Sequence, residues 1–188
     1  TYEQANSLYG QLAGFAAPLI NFPQVLTQAV SMSLVPAVVA AYSLKETDEL
    51  HRNIKLGLRT ALIVGFPCAA GLIVLAKPIM MTLYPSRVES AISAAGALMI
   101  LAVGVIFLST VQTLTGVLQG IGKQIIPVRN LFIGVIFKVI LAYVLSGIPS
   151  INVKGAAVGT VVAYIVASTL NLIAVKKYTG VKFDFVMT

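Results

Sequence analysis

A single lysine, Lys138, lies inside an otherwise apolar run from Leu131 to Leu145. It is the only charged residue deep within any of the five long apolar runs of this sequence. An ammonium group at the centre of a membrane-spanning helix costs roughly 2.5–3.5 kcal/mol on insertion scales, so such residues usually face a protein interior or a water-filled cavity. This position predicts a site that attracts an anion such as a phosphate group. The alternative is that the side chain extends to the headgroup region or bonds a neighbouring carbonyl.

Amide side chains are the second group suited to holding a polar ligand. The first apolar run carries Asn21, Gln24 and Gln28 at spacings of three and four, which places them on one helix face. In the third run, Gln112 and Gln119 belong to a face of small and polar residues. Packing between helices is the alternative interpretation of these amides. The predicted cavity-lining set is Lys138, Asn21, Gln24, Gln28, Gln112, Gln119 and Arg59, and for Arg59 a topology anchor is the alternative.

Residues that bind metals or perform covalent catalysis are scarce. All six carboxylates lie outside the apolar runs, and the one histidine, His51, lies in a charged connector, where we expect it to be solvated. The lone Cys68 excludes a disulfide framework and a cysteine-based metal site. No serine, threonine or cysteine is paired with a base in a nucleophile motif. We therefore predict no catalytic residue, no metal and no cofactor, and we do not expect an enzyme.

The composition indicates how these residues must be positioned. Hydrophobic residues make up 58% of the 188 and charged residues 10%, with a mean hydropathy of +0.94. A soluble domain carries about 25% charged residues, whereas a membrane-spanning helix needs roughly 20 apolar residues. The pattern predicts an all-α integral membrane protein with five transmembrane helices, at about residues 8–43, 56–76, 91–122, 125–146 and 153–175.

Two features add detail to this outline. The first run is long for one span and contains Pro18, Pro23 and Pro36, so we expect one long, kinked helix. The hydrophilic connector at residues 45–55 predicts a short amphipathic helix, with Thr47 as its cap.

Small residues recur every four positions in the last run, at Gly155, Gly159, Ala163 and Ala167. Such spacing lets helices approach closely in lipid. Gly116 and Gly120 repeat the pattern in the third run, so both helices are predicted to pack tightly.

The distribution of basic residues predicts the orientation, because lysine and arginine accumulate in cytoplasmic loops. The net charge is +7, but short basic clusters between apolar runs are typical of topology signals rather than of nucleic-acid binding. We therefore expect Thr1 outside and the C-terminus in the cytoplasm. Nine basic residues lie on the predicted cytoplasmic side: Lys45, Arg52, Lys55, Arg59, Lys123, Arg129, Lys176, Lys177 and Lys182. Three lie on the other side: Lys77, Arg87 and Lys154.

Several short motifs, taken in order, resemble those of bacterial polysaccharide exporters. The motifs are LYGQLAG at residues 8–14, PLINFP at 18–23, SLVP at 33–36, NIKLGLR at 53–59, Phe66-Pro67, Lys77-Pro78 and LQGIGK at 118–123. The chain is similar over essentially its whole length to the multidrug/oligosaccharidyl-lipid/polysaccharide (MOP) flippase superfamily. Within it, the sequence resembles the type of stage V sporulation protein B.

The resemblance implies a protein of 12–14 spans in two lobes, of which residues 1–188 form most of the C-terminal lobe. It implies alternating access and an undecaprenyl-pyrophosphate-linked oligosaccharide or peptidoglycan precursor as the substrate. The implied location is the bacterial plasma membrane, and the implied partners are this lipid-linked substrate, membrane lipids and the remainder of the chain, without nucleic acid. Two alternatives remain: a MATE-type multidrug or cation antiporter, and a structural membrane subunit without transport activity.

One departure from the family pattern bears on the substrate. Lipid II flippases carry an arginine shortly before the Phe-Pro of this first helix and a charged residue beside the phenylalanine. Pro18 and Asn21 stand at these positions. The resemblance therefore leaves lipid II in doubt as the cargo, and Lys138 is a candidate to supply the missing cation from another helix.

Overall fold

A computed structural model describes Gly14 and residues 16–85, 88–146 and 153–182. The predicted start of the first span at residue 8 lies outside these residues. Within them the chain forms helices and no strands. The helices are α1 Ala17–Ser43, α2 Thr47–Val74, α3 Ala76–Leu83, α4 Val88–Gly120, α5 Ile125–Ser146 and α6 Val153–Thr179.

Five of these helices, all except α3, are long and apolar enough to cross a membrane. The prediction of an all-α membrane protein with five spanning helices is confirmed. Helix α5 has the predicted bounds, whereas α6 continues four residues past the predicted end at 175.

The connector before α2 differs from the prediction. No separate amphipathic helix forms there, because α2 runs without interruption from Thr47 to Val74. Leu50 and Ile54 are buried and continue the buried face of the membrane span. Thr47 is the first helical residue rather than the cap, and the N-cap residue Glu46 makes no side-chain cap hydrogen bond. The prediction failed because the periodicity of the connector is in phase with that of the following span.

Helix α1 continues through two internal prolines. Pro23 and Pro36 both lie inside the helix, and Pro18 lies in its first turn. A proline removes one backbone donor and so frees the carbonyl four residues earlier. In membrane helices, neighbouring side chains and helices satisfy such freed groups. The predicted single helix in this run is therefore confirmed over the described residues.

Helix α4 is the centre of the bundle. Helices α1, α2, α3 and α6 all pack on it, whereas α5 packs chiefly on α6. Of the most apolar window of α4, 67% is buried, against 17% for α5. The layout therefore places α5 at the edge, joined to the rest of the bundle mainly through α6.

Glycines permit the closest helix contacts. A Cβ atom on Gly134 of α5 would lie 2.7 Å from the backbone oxygen of Ala163 on α6. A Cβ on Gly159 of α6 would lie 3.0 Å from the backbone oxygen of Lys138 on α5. The small-residue pattern of the last run is thus confirmed as a packing face, and its partner is α5.

The α5–α6 contact predicts a specific sensitivity to a single added methyl group. Gly134→Ala should destabilise the full-length protein by about 1–3 kcal/mol, because the new methyl group meets a backbone atom that cannot rotate away. Thermal unfolding of the purified protein in detergent measures the effect.

Gly71→Ala is the matched control, because a Cβ at this helical position meets nothing within 4 Å. This change should be neutral or stabilising by up to about 1 kcal/mol through helix propensity. Equal unfolding temperatures for the two variants would contradict the close approach at Gly134.

Candidate functional site: a polar seam and a lone lysine

Hydroxyl and amide groups join α1 to α4 in the middle of the bundle. The Thr27 hydroxyl, fully buried, contacts Oε1 of Gln112 within hydrogen-bond distance. The Ser31 hydroxyl donates to the backbone oxygen of Gln112 at 2.7 Å. We call Thr27, Ser31, Gln112 and Gly116 the α1–α4 polar seam. It holds two spanning helices together through directional bonds.

Gly116 makes the seam possible. A Cβ atom there would lie 2.5 Å from the Ser31 hydroxyl oxygen and 3.0 Å from the Ser31 backbone oxygen. The absence of a side chain lets α1 approach until its hydroxyl reaches a backbone acceptor on α4. The Thr27 hydroxyl also lies 3.2 Å from the Pro23 carbonyl oxygen and 3.1 Å from that of Gln24.

The predicted amides of α1 lie beside this seam. Gln24, Gln28 and Ser31 follow one another at spacings of four and three, so they share a stripe along the helix. Gln24 is half-buried, and Gln28 and Asn21 are exposed. The structure therefore brings Gln112 together with the α1 stripe and leaves exposed amide surface next to their contact.

The polar face of α4 is in large part a packing face. Ser109 and Thr113 are fully buried, and their hydroxyls bond backbone oxygens of their own helix. A Cβ on Gly65 of α2 would lie 2.9 Å from the Ser109 hydroxyl. Gln119, near the end of the same helix, is exposed. Packing thus accounts for the buried part of this face, and Gln119 is the residue on it that is open to a ligand.

Lys138 stands apart from the seam, on α5. Its backbone oxygen faces Gly159 of α6, and its side chain is exposed. Within the described part of the chain, it makes no hydrogen bond or ion pair. It lies about 20 Å along α5 from Ile125, at 1.5 Å per residue, well inside the apolar span. The structure therefore places this cation and the amide stripe on different helices, with α6 as the main neighbour of α5.

Arg59 occupies a third location. It is exposed on α2, on the side that also presents Ile63 and Phe66, whereas Gly57 and Ala61 face the bundle. Arg59 is therefore not adjacent to the seam. The predicted site residues fall into three groups: the amides near the α1–α4 contact, Lys138 at the α5–α6 contact, and Arg59 on the outer side of α2.

A second polar network was not predicted from the sequence. Nδ2 of Asn130 on α5 donates to Oδ1 of Asn171 on α6 at 2.9 Å, and Nδ2 of Asn171 donates to the Thr115 hydroxyl on α4 at 3.4 Å. Asn130 is 2% exposed and Asn171 0%. The sequence does contain a signal for this network, because the fourth and fifth apolar runs each contain one asparagine. An amide buried in lipid needs a hydrogen-bond partner, so the two could have been expected to pair.

His51 is not simply solvated, contrary to the prediction. It is half-buried, and its Nε2 lies 2.7 Å from the carbonyl oxygen of Thr179, at the C-terminal end of α6. An imidazole N–H there satisfies one of the carbonyls that a helix end leaves without a partner. Nearby, the Glu49 side chain raises the pKa of Glu46 through a hydrogen bond, and like charge adds to this.

No cluster of three or more histidine, cysteine or acidic side chains suited to a metal occurs among the described residues. The predicted site residues are instead amides on α1 and α4, one ammonium group on α5 and one guanidinium group on α2. Such groups bind phosphates and sugars through hydrogen bonds and charge.

Comparison with known proteins identifies the family. The sequence model of the lipid II flippase MurJ family matches residues 13–188. The chain belongs to this family. The predicted resemblance to MOP flippases is confirmed, and the chain is a multi-pass protein of the bacterial plasma membrane.

Individual relatives agree with this assignment. The chain is 28% identical over 173 residues to stage V sporulation protein B of Bacillus subtilis, covering 92% of the chain and 32% of that protein. It is 25% identical over 173 residues to the lipid II flippase MurJ of the same organism, covering 92% of the chain and 31% of that protein. It is 24% identical over 162 residues to the probable low-salt glycan biosynthesis flippase Agl15 of Haloferax volcanii, covering 86% and 33%. The chain spans about a third of the length of these relatives.

The three-helix amide network predicts a coupled loss of stability. Asn171→Ala should destabilise the full-length protein by about 1–3 kcal/mol, because the amide of Asn130 is left buried without its acceptor. In a protein that already carries Asn130→Ala, Asn171→Ala should reduce the free energy of unfolding by less, because the main hydrogen-bond partner of Asn171 is already absent. Thermal unfolding of the two single variants and the double variant measures the coupling.

Thr169→Ala is the control. The Thr169 hydroxyl is exposed and bonds only the Ile165 carbonyl of its own helix, so its loss should be nearly neutral. Strictly additive losses from Asn130→Ala and Asn171→Ala would contradict the network.

Proposed function

We propose that the protein containing this chain is a flippase that moves a lipid-linked oligosaccharide or peptidoglycan precursor across the membrane by alternating access. The chain would supply most of the second of two lobes that move about a central cavity. The observation that carries the proposal is the family match over residues 13–188. Three relatives, two named as flippases and one as a sporulation protein, agree with it.

The exposed amides of α1 support a polar cavity on this side of the lobe. An amide directed at acyl chains loses its hydrogen bonds to water and gains none in return. Asn21 and Gln28 are exposed on a spanning helix. We infer that this stripe faces the cavity between the lobes, where sugar hydroxyls or water can bond it.

The undecaprenyl-pyrophosphate group requires a cation, and Lys138 is the candidate within this chain. Its side chain is exposed, and no described carboxylate neutralises it. Pro18 stands where lipid II flippases carry an arginine, so the proposal leaves the identity of the sugar or peptide cargo open and assigns the phosphate contact to Lys138. Relative movement of helices during transport would have to bring this lysine and the amides to one substrate.

Replacing Lys138 tests this role. Lys138→Gln in the full-length protein should reduce flipping of an undecaprenyl-pyrophosphate-linked substrate in proteoliposomes about tenfold or more, because a hydrogen bond to a charged group contributes about 1.5–3 kcal/mol. Lys138→Arg should retain activity. Lys45→Gln, which removes one charge outside the spans, is the control.

Undiminished flipping by Lys138→Gln at normal expression would remove this lysine from the mechanism and leave the flippase proposal standing. If the wild-type protein flips no lipid-linked substrate at all, the flippase proposal itself is wrong.

A MATE-type multidrug or cation antiporter is the alternative within the superfamily. Extruders of cations require anionic groups in the cavity. All six carboxylates of this chain lie outside the predicted spans. The amides and the single lysine therefore favour an anionic or sugar-bearing substrate.

A structural subunit without transport activity is the second candidate, and the burial of Ser109 and Thr113 favours it. Single cysteines at Ser109, Gln112 and Gln119, in a background without Cys68 and other cysteines, distinguish the two. A transporter predicts that a water-soluble thiol reagent labels position 119 readily, position 112 partially and position 109 hardly at all. Equal protection of all three positions from the reagent would support the structural role.

A further inference from the structure

Two lysines converge on one aromatic ring at the end of the bundle where α4 and α6 terminate. Nζ of Lys123, in the segment between α4 and α5, lies 5.3 Å from the centroid of the Tyr178 ring. Nζ of Lys177 lies 5.9 Å from the same centroid. We call these three residues the Lys–Tyr–Lys cluster. The first contact joins residues far apart in sequence, so the fold itself brings both lysines to the same ring.

The two ammonium groups have no acidic partner among the described residues. The described ion pair is between Arg52 and Glu49, on α2. Both lysines are exposed, and Tyr178 is 41% exposed, so the cluster is open at the surface. Each cation–π contact with an exposed ring contributes only about 0.5–1 kcal/mol. Both ammonium groups still present N–H donors to an anion at the surface.

Partial charges of both signs surround the cluster. Helix α5 begins at Ile125, two residues after Lys123, and its first N–H groups contribute partial positive charge, whereas the last carbonyl groups of α4 and α6 contribute partial negative charge. Lys176 also lies in the last turn of α6. This end of the bundle carries most of the basic residues and is the predicted cytoplasmic side.

The position of the cluster decides which anion fits. Tyr178 ends an apolar spanning helix, and amphipathic aromatic rings at such ends lie at the level of the lipid headgroups. Phosphates of anionic phospholipids occupy that level and attract basic residues near the surface. A soluble phosphate would gain nothing from the apolar helix ends.

We propose that the Lys–Tyr–Lys cluster binds the phosphate of an anionic phospholipid in the cytoplasmic leaflet. The two ammonium groups contact the phosphate oxygens, and the tyrosine ring holds both lysines in place at the headgroup level. The bound lipid would join the α4–α5 segment to the end of α6 on the membrane surface. This site is separate from the substrate cavity and does not depend on the proposed transport activity.

Lipid binding by the full-length protein tests the proposal. Purified protein in detergent is titrated with phosphatidylglycerol or phosphatidylcholine, and native mass spectrometry counts the lipids that remain bound. Wild-type protein should retain phosphatidylglycerol in preference to phosphatidylcholine. Lys123→Gln/Lys177→Gln should bind phosphatidylglycerol about tenfold more weakly, because both charged hydrogen-bond donors to the lipid phosphate are lost.

Two variants and one competitor make the result specific. Lys45→Gln/Lys182→Gln removes the same charge from exposed positions on the same side and should bind as the wild type does. Lys123→Arg/Lys177→Arg keeps the charge and should also retain the lipid, which separates loss of binding from loss of folding. Inorganic phosphate at the same concentration should not displace the lipid.

Three outcomes would overturn the site. These are wild-type lipid retention by Lys123→Gln/Lys177→Gln, an equal loss in the Lys45→Gln/Lys182→Gln control, and full displacement of the lipid by inorganic phosphate. An equal loss in the control would mean that the overall positive charge of this surface is sufficient to bind the lipid. Full displacement by inorganic phosphate would mean that the cluster binds soluble anions.

Discussion

Helices in a membrane gain little from burying apolar side chains against one another, because lipid tails are equally apolar. Their association depends instead on close backbone approach and on polar bonds. Both occur around α4: Gly116 lets Ser31 reach a backbone carbonyl, and Thr115 anchors the Asn130–Asn171 pair. These contacts hold the described helices in one bundle and decide which polar groups are used for packing.

The distinction between polar groups used for packing and those left open organises the candidate site. The side chains of Thr27 and Gln112 are hydrogen-bonded to each other, whereas Asn21 and Gln28 remain exposed on the neighbouring turns of α1. Helix α1 therefore has hydrogen-bonded polar residues on the side that packs on α4 and exposed amides beside them. This arrangement suits a lobe that has one packed side and one side facing the proposed cavity. The family assignment rests on the match to the family model, and Lys138 alone does not carry it.

The edge position of α5 has a mechanical consequence. This helix is joined to the bundle chiefly through α6, by the backbone contacts at Gly134 and Gly159 and by the Asn130–Asn171 bond. The spanning helix with the smallest buried share thus carries the one charge deep inside a span. Movement of α5 against α6 would change the position of Lys138 while leaving the α1–α4 polar seam intact.

The sequence by itself determined the class of protein, the five spanning helices and the family, because apolar run length, charge placement and motif order are local properties of the chain. It also indicated the tight packing of the last helix, since small residues at a spacing of four need no partner to be recognised. Only the tertiary structure decided that Gln112 bonds Thr27, that Arg59 lies away from the amides, and that Asn130, Asn171 and Thr115 meet. A side chain's role in packing or in ligand binding depends on which helix lies opposite it, and helical periodicity identifies a face without identifying its neighbour.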